Sequence, residues 1–364
     1  MASLTVSTPG RICLFGEHQD YLGLPVIAAA ISRRVSITGD QRNDNKVIIH
    51  LPDINGQEEF ELTGEALPYT KKRDYFRSGH NVLLKHGYTF SKGVECTVHG
   101  NIPINSGTSS SSALLASWIH FLMRQSDQPR QLSRQQIGEL TYEAEVLEFG
   151  EPGGMMDQYS TAVGNIIYLE STPEIFIEEL RPKLGAFVLG DSEEPKDTLN
   201  ILGRLRGGVN SIVKKIQEAN PDFSLHTTDT VEIETYRTML TDEENVLLVG
   251  TIANRDILRE ARQVLEAADL DHNHLGDLLN RHQDNLRDAQ KISTPKIDGM
   301  IAAALGAGAL GAKINGSGGG GCMFAYAPGR AATVAEAIER AGGRAYIINV
   351  DRGTEAELAD GKVA

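Results

Sequence analysis

Two short segments carry acid, base and cation side chains at spacings suited to polar ligands. The first, Pro9-Gly-Arg-Ile-Cys-Leu-Phe-Gly-Glu-His-Gln-Asp-Tyr-Leu-Gly23, runs from an apolar stretch into a turn bearing Glu17, His18, Asp20 and Tyr21. Four hydrogen-bonding side chains on one loop suit a polyhydroxylated ligand better than an apolar one. Adjacent positions of a strand face different ways, which weighs against Glu17, His18 and Asp20 as a metal triad; a merely solvated turn is the plain alternative. The second segment, Gly150-Glu-Pro-Gly-Gly-Met-Met-Asp-Gln158, sets Asp157 beside glycines. A carboxylate there can approach a substrate hydroxyl and take its proton, or it can cap the helix that follows.

A third segment is rich in small hydroxyl residues: Asn101-Ile-Pro-Ile-Asn-Ser-Gly-Thr-Ser-Ser-Ser-Ser-Ala113. It follows an expected strand and feeds an apolar helix, so its backbone N–H groups stay open at a helix N-terminus, where the dipole attracts phosphate. The serine hydroxyls add donors and a possible Mg²⁺ ligand. The loop lacks the Gly-Lys-Ser/Thr ending of a Walker loop. A linker is the bland reading, but linkers seldom run straight into a helix. The fourth segment, Lys313-Ile-Asn-Gly-Ser-Gly-Gly-Gly-Gly-Cys322, holds too much glycine for a strand interior and is expected as a loop pressed on a ligand or another loop.

The elements that must position these segments follow from periodicity. Strands are expected at Leu4–Ser7, Ile12–Phe15, Pro25–Ile37 with a break at Ser32-Arg33-Arg34, Val94–Val98 and Ile166–Leu169. Ala113–Met123 reads as a helix. A second helix starts at a capping box, Ser133 with Gln136, and puts Ile137, Leu140, Ala144 and Leu147 on one face. The pattern restarts with the strand Ala186–Gly190. Helices are then expected at Leu199–Ile216, Glu243–Ala267, His274–Ala289 and Ala331–Ala341, with short strands at Ala312–Ile314, Met323–Ala327 and Ala345–Val350. The reading is an α+β protein of two halves, residues 1–182 and 183–352, with a polar tail at 353–364.

Composition narrows the function. The 364 residues include 49 acidic against 35 basic side chains, a net charge of −14, so no electrostatic footprint for nucleic acid or anionic lipid is expected. The apolar runs are too short to span a bilayer, and three scattered cysteines, Cys13, Cys96 and Cys322, make neither a disulfide framework nor a zinc motif. A reducing, cytoplasmic setting is expected. With 37 glycines the backbone must approach something closely in several places.

In order and spacing these motifs resemble the GHMP kinases, and within them the galactokinase branch. The carrying patterns are Pro-Gly-Arg-x5-Glu-His-x-Asp-Tyr, Pro-x3-Gly-x-Ser-Ser-Ser, Gly-x-Pro-x-Gly-x-Met-Asp-Gln and Gly-x-Gly-Gly-Gly-Cys; the segments 282–288 and 293–298 are similar as well. The resemblance implies an N-terminal ribosomal-protein-S5-like domain, a C-terminal α+β domain and an active site between them. It implies an ATP-dependent sugar 1-kinase, with D-galactose as first candidate substrate and another hexose or a uronic acid as the rival within the enzyme class. A non-catalytic sugar and ATP sensor on the same scaffold is the rival from another class. Mevalonate-type kinases share Gly-Glu-His but lack the Asp20-Tyr21 continuation and the Met-Asp-Gln ending.

By the same resemblance Arg11 and Asp157 are the catalytic pair, and Glu17, His18, Asp20 and Gly154 bind the sugar. Ser106, Gly107, Thr108, Ser109, Ser110 and Ser111 wrap the ATP phosphates. Glu145 with Ser110 or Ser111 holds Mg²⁺, and Gly316, Gly318 and Gly319 form a structural loop. The sequence departs from the pattern at Gln19, Cys13 and Ser112. It departs most at Arg204, eight residues after Lys196, where a sugar-touching tyrosine is usual; Arg204 is therefore expected at the sugar and would suit an anionic one. The implied partners are the sugar and ATP, without nucleic acid or membrane, in a monomer or weak homodimer.

Overall fold

The computed structural model describes residues 3–103, 106–196 and 198–358. Twelve strands and ten α-helices among them form two units. The first unit contains β1 (Leu4–Phe15), β2 (Val26–Gln41), β3 (Lys46–Leu51), β4 (Gly56–Glu61), α1 (Tyr75–Lys85), β5 (Val94–Gly100), α2 (Ser110–Gln125), α3 (Arg134–Tyr142), α4 (Met156–Val163), β6 (Ile166–Glu170) and β7 (Phe176–Leu180). The second contains β8 (Phe187–Asp191), α5 (Thr198–Ala219), α6 (Thr230–Ile233), α7 (Asp242–Glu266), α8 (His272–Asp288), α9 (Pro295–Gly306), β9 (Gly311–Ile314), β10 (Cys322–Tyr326), α10 (Ala331–Arg340) and β11 (Arg344–Ile348); β12 (Glu355–Leu358) follows.

The long β2 is the spine of the first sheet, in the order β12-β1-β2-β5-β3-β4. Its outer part, Val35 to Gln41, pairs with β5, and its inner part, Val26 to Ala29, pairs with β6. The two expected strands at the N-terminus are one, β1, whose pairing with β2 shifts register at Pro9/Arg11 and Cys13/Phe15. Gly10 lies at the first shift, where a Cβ would stand 2.6 Å from the Thr108 carbonyl oxygen. That approach lays β1 against the serine loop. The expected break at Ser32-Arg33-Arg34 takes the form of a register shift within a continuous strand: Pro9 faces Arg34 and Arg11 faces Ala30 while β2 runs on.

Helices α1, α2 and α3 cover one face of this sheet over a core that includes Val6, Ile37, Trp118, Phe121 and Ile137. The inner ends of β1 and β2 pack on the second unit instead, where Phe15 and Ile27 join Phe187, Leu258, Leu278 and Phe324. The second sheet, β11-β8-β10-β9, has its other face under α9 and α10, on Met300, Val334 and Ile338.

The capping box at Ser133 and Gln136 forms as expected. The helix does not continue to Leu147, however. After Tyr142 it widens into a π turn, Glu143–Leu147, with Glu148 N–H donating to the Glu143 carbonyl at 2.9 Å. The extra residue rotates the face, so Leu147 is exposed and not in the core.

The polar tail is also corrected. Glu355 to Leu358 pair antiparallel with β1, so the chain returns to the first sheet; residues 359–364 of the expected tail lie outside the described residues. Among the described residues no helix is long and apolar enough to cross a membrane.

Candidate active site

A cleft of about 750 Å³ opens between the units, lined by Arg11, His18, Asp20, Gly107, Ser109, Glu145, Asp157, Lys196 and Leu202, among others. Arg11 is at its centre. Its side chain reaches two elements together. Nε and Nη2 donate to Asp157 Oδ1 at 2.9 and 2.6 Å, and Nη1 donates to the Gly107 carbonyl. Burial opposes the guanidinium charge, but the Asp157 carboxylate outweighs it and holds the Arg11 pKa above its ordinary value.

Asp157 is not the cap of α4, whose N-cap is Met155; it lies in the first turn, and its carboxylate is about one-third exposed to the cleft. The α4 N-terminus is served instead by Asp20, whose Oδ2 accepts from Met156 N–H at 3.2 Å. Gly154 is required for this, since a Cβ there would lie 1.9 Å from the same oxygen. Burial raises the Asp20 pKa, against the bonds from Met156 and Tyr21 N–H that favour the anion.

Two of the expected sugar ligands are already engaged. Glu17 is 1% exposed, and its Oε1 is held by the Nζ of the fully buried Lys313, which also donates to the Cys13 and Ile314 carbonyls at 3.0 Å. Its Oε2 has no hydrogen bond and faces His282 Nε2 at 3.6 Å. His18 has both ring nitrogens occupied, Nε2 against the Ser317 carbonyl at 3.1 Å and Nδ1 against Tyr21 Oη at 2.9 Å. A carbonyl only accepts, so Nε2 carries the proton and Nδ1 accepts from the tyrosine. Burial lowers the His18 pKa to about 4, so the ring is neutral at pH 7.

The serine loop divides in two. Ser106 and Thr108 turn inward and bond each other at 2.9 Å, while Gly107, Ser109, Ser110 and Ser111 line the cleft at the start of α2. Ser109 is the N-cap residue in the left-handed region, φ 58°, and its Oγ is buried without a partner. A buried hydroxyl left orphaned beside open helix N–H groups is what a phosphate oxygen would complete.

The π turn brings Glu145 to the same place. Its Oε2 accepts from Ser112 Oγ at 2.6 Å and Gln158 Nε2 at 2.7 Å. Burial raises its pKa against the hydrogen bonds from Ser112, Gln158 and Ser111. The Glu145 carboxylate and the Ser110 and Ser111 hydroxyls line the same part of the cleft, and oxygen ligands of this kind suit Mg²⁺ when phosphate and water complete the shell.

The glycine loop after β9 closes over the serine loop. Gly316, φ 76°, faces the Gly107 carbonyl oxygen, 3.0 Å from where a Cβ would stand. Gly319 N–H donates to the Ile292 carbonyl at 2.8 Å, and Gly318 abuts the same residue.

Arg204 is not brought to the cleft. Its Nη2 donates to the Gln290 carbonyl at 2.8 Å on the far side of α5, while Thr198, Leu199 and Leu202 face the site. The reason is helical geometry: two residues beyond Leu202 is about 200° around the axis.

Sequence reasoning missed four supports. Lys196 lines the cleft with its pKa lowered by burial and by the Arg11 charge. Asn315 bonds both Cys13 N–H and the Gly107 carbonyl at 2.9 and 2.8 Å, and Ser112 and Gln158 orient Glu145. The alternation Lys313, Asn315 was the one available signal, since both point to β1.

Three family descriptions match the chain: "GHMP kinases N terminal domain" over 74–165, "GHMP kinases C terminal" over 261–344, and "Galactokinase galactose-binding signature" over 2–40. Among curated relatives, the mevalonate kinase of Pyrococcus furiosus is 27% identical over 360 residues, 95% of this chain and 96% of that protein. The galactokinase of Haemophilus influenzae is 27% identical over 345 residues, 90% of this chain and 86% of the relative. Among solved structures, Lactococcus lactis galactokinase complexed with galactose superposes with a TM-score of 0.82 at 22% identity, covering 97% of this chain and 94% of the other. Methanococcus jannaschii mevalonate kinase gives 0.72 at 17% identity, covering 96% and 98%.

Proposed function

The chain belongs to the GHMP kinases, a phosphotransferase family that uses ATP, and we propose that it is a sugar 1-kinase acting on a hexose of the galactose type. The reaction is ATP plus sugar to α-sugar 1-phosphate plus ADP, with D-galactose as the parent substrate. The observation that carries this reading is the Arg11 guanidinium, which joins the Asp157 carboxylate to the Gly107 carbonyl of the serine loop. A base for a sugar hydroxyl and a cradle for phosphate are thereby held on one cation.

In this reading Asp157 takes the proton of the anomeric hydroxyl as it attacks the γ-phosphorus, and Arg11 offsets charge on the transferring group. Ser109 Oγ and the first N–H groups of α2 orient the phosphates, and Glu145 with Ser110 or Ser111 holds Mg²⁺. A bound Mg²⁺ neutralises charge on the phosphate oxygens, while positioning by the protein does most of the rest. Asp20, which lines the cleft and accepts from Met156 and Tyr21 N–H, is the carboxylate that remains for sugar hydroxyls. The galactose-binding match over 2–40 supports a sugar over mevalonate, although relatives of both kinds share 27% identity. The test is ADP release with Mg-ATP and galactose, other hexoses, uronic acids or mevalonate, with the phosphorylated product identified by ³¹P NMR. Release with mevalonate and with no sugar would refute the reading.

A further inference from the structure

One wall of the cleft is the beginning of α5. Thr198, Leu202 and Arg206 recur every fourth residue and so lie in a row along one face. Both ends of the row are pinned. Thr198 Oγ1 is 3.0 Å from Ser317 Oγ, on the residue whose carbonyl engages His18. Arg206 donates to the Pro152 carbonyl at 2.9 Å, and its guanidinium carbon is 6.0 Å from the centre of the Tyr21 ring. Leu202 thus stands between the His18 loop and the turn that carries Gly154, and with Leu199 it lines the cleft.

These leucines have no packing role to explain them. Neither belongs to the apolar clusters of the core, and Leu199 is 56% exposed. Several polar groups near that wall are already engaged: both nitrogens of His18 are bonded, Glu17 is held by Lys313, Thr198 and Ser317 bond each other, and Arg204 donates to the Gln290 carbonyl. A hydroxyl set against the Leu199 and Leu202 side chains would lose water there and gain no hydrogen bond from them, whereas a methyl group would gain contact.

We infer that the acceptor sugar presents a methyl-ended substituent to Leu199 and Leu202 where galactose has a hydroxyl. Two sources share this chemistry, a 6-deoxyhexose and an N-acetylhexosamine. The inference rests on the sugar-kinase reading and adds the substrate class to it.

The test uses the full chain with Mg-ATP and a coupled ADP-release assay on galactose, 6-deoxygalactose, N-acetylgalactosamine, galacturonate and mevalonate. One methyl-bearing sugar is expected to exceed galactose in kcat/KM by at least about tenfold, within the roughly 10–200-fold that one methyl-sized apolar contact gives. Whichever of the two is faster identifies the source of the methyl group. Leu202→Asn should bring that ratio towards one by slowing the methyl-bearing sugar more than galactose. Galactose turned over as fast as or faster than both methyl-bearing sugars overturns the inference and leaves the kinase reading standing. So does a galacturonate preference. A wild-type preference that Leu202→Asn and Leu199→Asn both leave intact overturns the assignment to this wall. Turnover of mevalonate alone, or of none of the five, removes the sugar-kinase reading and the inference together.

Discussion

Arg11 does its work by being buried and still charged. It is 3% exposed, and Asp157 on one side favours its charge while the Gly107 carbonyl on the other takes a further N–H. Asp157→Asn removes the proton acceptor with little change of volume, so turnover is expected to fall by roughly 10²–10⁴-fold. Calorimetry should show sugar and nucleotide still binding, and turnover within a few-fold of wild type would exclude the base assignment. Glu145 makes a different expectation. Its carboxylate is oriented by Ser112, in the first turn of α2, and by Gln158. Glu145→Ala should therefore shift the Mg²⁺ dependence of activity to higher concentration while the sugar KM stays nearly constant. Overlapping Mg²⁺ titrations would contradict it.

At the scale of elements, the site depends on two places where backbones meet. Gly107 has φ 90°, and a Cβ there would lie 2.9 Å from the Asn315 carbonyl oxygen, so it serves the contact between the serine and glycine loops. A β-branched side chain has no room in that contact and resists the dihedral. Gly107→Val is expected to abolish ATP binding in calorimetry, with near-native circular dichroism, because the damage is confined to the contact between loops. Gly154 serves the meeting of the α4 N-terminus with Asp20. Gly154→Ala would push the Asp20 carboxylate off Met156 N–H and is expected to raise the sugar KM well above its effect on the ATP KM. Equal changes in both would show that Asp20 does not face the sugar.

The two units are held together by buried polar chemistry as well as apolar packing. Lys313 on β9 reaches across to Glu17 and the Cys13 carbonyl of the first unit, with His282 of α8 beside them. Removing one partner strands a buried charge, so Lys313→Ala should cost about 3–5 kcal/mol, read as a lower urea midpoint. Acid should weaken the whole fold through its buried histidines. Burial lowers His18 and His80 to about 4 from an ordinary 6.5, so between those values the unfolded chain binds protons that the folded one does not. Stability is complete above about pH 6.5 and falls as pH drops towards 4, by up to about 1.4 kcal/mol per pH unit for each histidine. His80→Phe keeps a ring against Phe90 and cannot titrate; its urea midpoint should decline less between pH 7 and 5 than that of wild type.

From sequence alone the family, the α+β class and the segments that make the cleft were all legible, because each depends on local pattern: glycines where backbones approach, hydroxyls before an apolar helix, a capping box at Ser133. What each side chain touches was not. Glu17 reads as a free carboxylate until Lys313, far along the chain, is folded against it. Asp157 reads equally as a cap or a base until Asp20 takes the capping role. Arg204 stands at the expected spacing from Lys196, yet the rotation of α5 carries it to Gln290 and brings Leu202 to the cleft. Linear spacing records distance along the chain. The side of an element that meets the site depends on packing against residues remote in sequence, and only the tertiary structure decides that.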